Sequence, residues 1–165
     1  MTAESTNTSD GNHGLPLIGW REAVFFPELG IGPIRAKIDS GANTSALHVS
    51  DVERIDGDRV SFHIALDRHG RRLSDRLEAP IVRTSTVRSS TGHAQERFVV
   101  PLKLAVGENE FEVEVSLVCR KGMLCRMLLG RRALADRFLV DAASMYLVST
   151  RPKKRPRRKK SAKGD

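Results

Sequence analysis

Asp39-Ser40-Gly41 is the first place in this chain where residue types and spacing could do chemistry. A carboxylate at the end of a strand that enters a core is costly to desolvate, so it needs donors or a task. Gly41 has no Cβ, which lets backbone N–H groups approach the acid closely. Ser40 brings a hydroxyl able to donate to a neighbouring backbone group, and Ala42 keeps the loop small. By itself the tripeptide is a common turn. The run before it changes its weight: Ile34, Ala36 and Ile38 alternate with Arg35 and Lys37, the period of a strand with one buried face. Near the far end, Leu128-Leu129-Gly130 is a second small apolar signal.

Amide hydrolysis by carboxylates alone needs two acids close enough to share a proton. One, ionised, takes a proton from water while the other, protonated, polarises the scissile carbonyl. The chain holds one Asp-Ser-Gly, and 165 residues are too few for two such lobes. The second acid must come from a second copy, which implies a symmetric homodimer with paired Asp39 residues at its axis.

Asp-Ser-Gly-Ala after a strand, with Leu-Leu-Gly-Arg shortly before a terminal helix, resembles the retropepsin-like aspartic proteases. A longer set comprises Ile18-Gly19-Trp20-Arg21-Glu22, Ala36 to His48, Ser89-Ser90-Thr91-Gly92, Glu96-Arg97 and Met127 to Leu134. This set resembles the bacterial RimB-like branch once labelled ATP-dependent zinc proteases, some members of which accompany the RimK glutamate ligase. The resemblance covers about residues 17 to 148. It implies an all-β fold, a closed barrel or sandwich with one short C-terminal helix. It also implies a metal-independent aspartic endopeptidase acting on peptide or glutamyl amide bonds of a glutamate-tailed or ribosome-associated protein. By the same resemblance, Leu128, Leu129 and Gly130 buttress the Asp39 loop. The Arg88–Arg97 hairpin, with Ser89, Ser90, Thr91 and Gly92 at its tip, stands where a flap covers bound peptide. A RimK-type ligase or a ribosome is the implied partner. Three positions depart from the branch: Ser40 replaces Thr, Asn43 replaces Arg, and Val118-Cys119-Arg120 replaces Thr-Asp-Arg. A non-catalytic peptide- or ribosome-binding module on the same fold is the alternative.

The elements that must position Asp39 read as short strands. Leu17 to Phe26 predicts a first strand, closed by Pro27, and residues 28–33 predict a Gly/Pro turn. Ile34 to Ile38 predicts the second strand, and Thr44 to His48 continues as strand or extended chain. Val60, Phe62, Ile64 and Leu66 alternate up to a turn at Asp67–Gly70. Arg71 to Glu78 carries no clear period, and Pro80 to Val87 predicts another strand. Phe98 to Leu104 and Phe111 to Leu117 predict a hairpin around Gly107-Glu108-Asn109. Met127 to Leu129 predicts a short buried strand, Arg131 to Arg137 a short helix, and Phe138–Val140 and Met145–Val148 two last strands around Asp141.

Composition divides the chain into three: a polar segment 1–14, a domain 15–150 and a basic tail 151–165. The net charge of +8 is equal to the charge of that tail, which holds nine Lys/Arg and one Asp, so the other residues sum to zero. Basic character is thus expected of the tail and not of a folded face. Lys153, Lys154, Arg155, Arg157, Arg158, Lys159 and Lys160 suit a polyanion such as nucleic acid or polyglutamate, without base stacking because no aromatic interleaves them. No apolar run reaches membrane-spanning length and no signal peptide precedes the domain, so the expected location is the cytoplasm. Cys119 and Cys125 are expected to be reduced thiols. The five His residues show no metal-ligand spacing, and no phosphate loop is present, so no metal and no cofactor are expected.

Overall fold

A computed structural model describes residues 14–88, 91–119, 122 and 124–153. The architecture is all-β with one short helix. Its strands are β1 Leu17–Gly19, β2 Arg21–Phe26, β3 Ile31–Ile38, β4 Ser45–Asp56, β5 Arg59–Ile64, β6 Leu77–Pro80, β7 Arg83–Arg88, β8 Ala94–Val106, β9 Asn109–Val118, β10 Met127–Leu129 and β11 Leu139–Asp141; helix α1 is Arg131–Leu134.

The main sheet closes on itself. β10 lies parallel to β3 and antiparallel to β4; β3 pairs with β2, β2 with β8, β8 with β9, and β9 in parallel with β4. That ring leaves no free edge between its members. β5 and β6 extend it beyond β4, and β7 hangs from β8 as a hairpin. A separate parallel pair joins β1 to β11.

The period-two patterns specify which faces meet inside. Ile34, Ala36 and Ile38 of β3 are buried, as are Val100, Leu102, Leu104 and Val106 of β8 and Val113, Val115 and Leu117 of β9. Met127 and Leu129 point inward at zero exposure, while Leu128 faces the other way. Burying each of these side chains contributes about 1.5–3 kcal/mol, so the three-residue strand that closes the ring is held mainly by its two inward anchors.

Several expected elements differ from those observed. The first strand is two: Trp20 donates its N–H to Ser144 O and accepts from Ile38 N, so the chain leaves one sheet for another there. The Gly/Pro turn is shorter than expected. A 3-10 turn covers Pro27–Leu29, and pairing resumes at Ile31 opposite Phe26. The stretch 77–88 is two strands, because Ile81 N bonds Asp58 O while Val82 N turns to Val99 O. The strand or extended chain expected at Thr44–His48 is a strand, longer than expected, that continues to Asp56. The helix ends at Leu134, since Ala135 is extended and Asp136 adopts a φ of 61°.

Met145–Val148 forms no strand, and the reason is a buried acid. Glu22, wholly enclosed, accepts Gly19 N and Leu147 N at 2.8 Å on Oε1 and Ser149 N at 3.1 Å and the Ser149 hydroxyl on Oε2. Leu147 N, which a strand would give to a neighbour, goes to this carboxylate, while Tyr146 N makes a single backbone bond to Arg21 O at 2.8 Å. Ser149 Oγ in turn accepts Ala23 N at 2.7 Å. Glu22→Gln sets an amide NH2 against a cage of donors and is expected to cost on the order of 3 kcal/mol. Denaturant unfolding would read this as a lower midpoint with an unchanged slope.

Candidate active site

β3 carries Asp39 out of the core to a turn that the backbone itself closes. Asp39 N donates to Leu129 O at 2.9 Å, and Ala42 N donates to Asp39 O at 3.2 Å. The carboxylate Oδ1 accepts Gly41 N at 3.1 Å and Ala42 N at 3.3 Å. A Cβ on Gly41 would stand 3.2 Å from that oxygen, so the small residue permits the approach. Ser40 is exposed, and its carbonyl is the engaged group, accepting Arg131 Nη1 at 2.9 Å; the same nitrogen reaches Gly41 O at 3.0 Å.

β10 runs beside the Asp39 turn. Leu129 is in register with Ile38 and Leu128 with Lys37, directly beside the Asp39 turn. Gly130 touches Thr44 so closely that a Cβ would meet the Thr44 carbonyl carbon at 2.7 Å. Its N–H donates to the buried Ser45 Oγ at 3.1 Å, and Arg131 N donates to Ala42 O at 2.8 Å. The hydroxyl that locks the loop is therefore Ser45. A signal for it was present: a polar residue two before Leu47 and four before Val49, on the buried face of β4.

A cavity of about 310 Å³ adjoins this loop through Ala42, Thr44 and Leu128. Asp39 is not itself among its lining residues. The β7–β8 hairpin supplies the opposite wall with Arg83, Ser85, Arg97 and Val99. Ser85 and Arg97 are paired across the strands, so the alternation of both strands aims these side chains to one face. Thr91 and Gly92 lie at the hairpin tip, away from this wall; Ser89 and Ser90 lie outside the described residues.

Among the described residues, three guanidinium groups, Arg83, Arg97 and Arg126, line the cavity and no carboxylate does. Arg83 is already engaged, with Glu114 at 3.1 Å and Thr44 Oγ1 at 3.0 Å. Arg97 Nε and Arg126 Nε are buried without a hydrogen-bond partner among the described residues. A buried, unpaired donor on a cation is costly, and a carboxylate is the group that satisfies it best. Composition shows only that Arg is frequent; the sheet register is what gathers these three.

His48 also lines the cavity and is buried. Burial first, and the Arg126 charge second, hold its imidazole below the ordinary 6.5. The unfolded chain then binds this proton more readily than the folded one, so stability falls as the pH drops through about 6.5 towards the folded value. Thermal melts between pH 8 and 5 are expected to show that loss, and His48→Gln to flatten it.

A closed barrel with an Asp-Ser-Gly loop buttressed by Leu-Leu-Gly defines the retropepsin-like class. Residues 17–151 match the family described as RimB-like, retropepsin-like aspartic endopeptidase RimB, and the chain belongs to that family. It is also similar to a protein named probable alpha-L-glutamate ligase from Desulfotalea psychrophila, 38% identical over 130 residues, which are 77% of this chain and 28% of that one. A protein of the same name from Shewanella pealeana is 35% identical over 135 residues, 80% of this chain and 30% of the relative. The chain thus spans less than a third of the length of these relatives. Among solved structures, protein Lpg0085 of unknown function from Legionella pneumophila superposes with a TM-score of 0.67 at 24% identity, covering 81% of this chain and 98% of that one. That likeness concerns the fold.

Proposed function

We propose that the chain is an aspartic peptidase that hydrolyses glutamyl amide bonds through Asp39 residues paired across a homodimer. The observation that carries this reading is a strand-end carboxylate held by Gly41 N and Ala42 N beside a cavity lined by three arginines and no acid. The barrel presents one such loop, so two copies are needed to supply both acids. One Asp39 takes a proton from water as its oxygen bonds the carbonyl carbon, and the other gives its proton to the carbonyl oxygen. The C–N bond then breaks, the nitrogen takes up a proton, and a carboxylic acid and an amine leave. Arg97 and Arg126 hold a substrate carboxylate, which selects glutamate beside the scissile bond.

Residues 15–150 form the catalytic unit on this reading, and residues 151–165 a basic arm. The relatives' name, alpha-L-glutamate ligase, suits a partner reaction: a ligase of that kind would add the glutamates this chain removes. The test is release of glutamyl fragments from a glutamate-tailed peptide by wild type and by Asp39→Asn, with and without chelator. Turnover in wild type alone, insensitive to chelator, is the expected result; full turnover in Asp39→Asn would overturn the assignment.

A further inference from the structure

The cations of residues 1–150 are matched by acids in number but not in place. On the side of the barrel formed by the start of β3 and the turn after β5 lies an open groove of about 630 Å³. Arg35, Arg68, Arg72, Arg126 and Lys153 line it, against the single carboxylate of Asp67. This corrects the expectation that basic character would reside in the tail alone. Asp67 is turned to local work, accepting His69 N at 2.9 Å and Arg71 N at 3.1 Å. No ion pair among the described residues engages Arg35, Arg68, Arg72 or Lys153. Several like charges gathered at one concave surface, with low-dielectric walls, attract an extended anion from a distance.

Two observations say which anion. Arg126 lines both this groove and the cavity beside Asp39, so a single chain lying in both would pass the same guanidinium. Among the described residues no aromatic side chain lines the groove, so it offers no stacking platform of the kind single-stranded nucleic acid uses. Its floor instead offers Ile31, Ile34, Leu66 and Leu124 to aliphatic methylenes. Of the tail's cations, Lys154, Arg155, Arg157, Arg158, Lys159 and Lys160 lie outside the described residues.

The geometry points to an exosite for an acidic peptide: the groove holds the part of a glutamate chain that extends beyond the catalytic cavity. The inference rests on the glutamyl-peptidase reading for its choice of ligand, and a binding measurement separates the two. Full-length Asp39→Asn protein is titrated against fluorescein-labelled oligoglutamates of about four and about twelve residues, at low and at physiological salt. The long chain is expected to bind more tightly, with the steeper salt dependence. Arg68→Gln/Arg72→Gln in the same background is expected to weaken the long chain about five- to tenfold and leave the short one unchanged, as the loss of two exposed ion pairs predicts. Equal affinity for both lengths, no effect of the double substitution, or tighter binding of a labelled oligoribonucleotide that competes for the groove would each overturn the exosite. If no oligoglutamate is cut by wild type yet the length-dependent binding persists, the peptidase reading fails while the exosite stands.

Discussion

Co-refolding wild-type subunits with an about ninefold excess of Asp39→Asn is expected to lower the rate per wild-type subunit to about a tenth, because random pairing leaves few wild-type homodimers. The loss follows from the chemistry. A water that must give up a proton and a carbonyl that must receive one need two acids, and the cavity of one barrel offers none besides Asp39 at its margin. Asn keeps the shape of the side chain and its acceptor oxygen, so Gly41 N and Ala42 N retain a partner and the fold is expected to survive. Far-ultraviolet circular dichroism and the melting temperature check that point. A rate per wild-type subunit that does not change with excess variant would show that each barrel works alone, and the paired mechanism would fall.

Arg97→Gln is expected to cut kcat/KM for a glutamyl substrate about ten- to hundredfold while changing that for the glutaminyl analogue less than about threefold. Arg97 Nε is buried and lacks a partner among the described residues, so a substrate carboxylate there gains a charge-assisted bond that a neutral amide matches poorly. Arg97 lies on β8 opposite Ser85, while the Asp39 carboxylate is held by Gly41 N and Ala42 N, so the substitution leaves the bonds of that loop in place. Arg97→Lys restores the charge without the planar fork and is expected to recover part of the rate. Steady-state kinetics on the paired substrates decides it. An equal loss on both would mean that Arg97 shapes the wall and does not select the side chain.

The residues around Asp39 were legible because their logic is local. Alternation of Ile34, Ala36 and Ile38 sets a face, Gly41 sets a close approach, and Leu128-Leu129-Gly130 sets a buried strand that stops at a tight contact. The β8–β9 hairpin was legible for the same reason, since both its strands and its turn lie within a continuous run. Each of these depends on residues within a few positions of one another.

What tertiary structure decided was partnership. Period two says that a strand has a buried face but not which strand lies beside it, so nothing local told that β10 would sit between β3 and β4 and close the ring. The same ignorance hid the split at Trp20, where backbone bonds to Ser144 and Ile38 divide one apolar run between two sheets. It hid the fate of the stretch after Met145, where Leu147 N and Ser149 N are captured by Glu22 from the other end of the domain. Charge counts carry no positions, and so a body with zero formal charge concealed both the arginine-lined cavity and the basic groove. The sequence by itself determined the acid, its turn and its buttress; only the long-range register determined which cations face it, because side chains converge where strands pair and not where they adjoin in the chain.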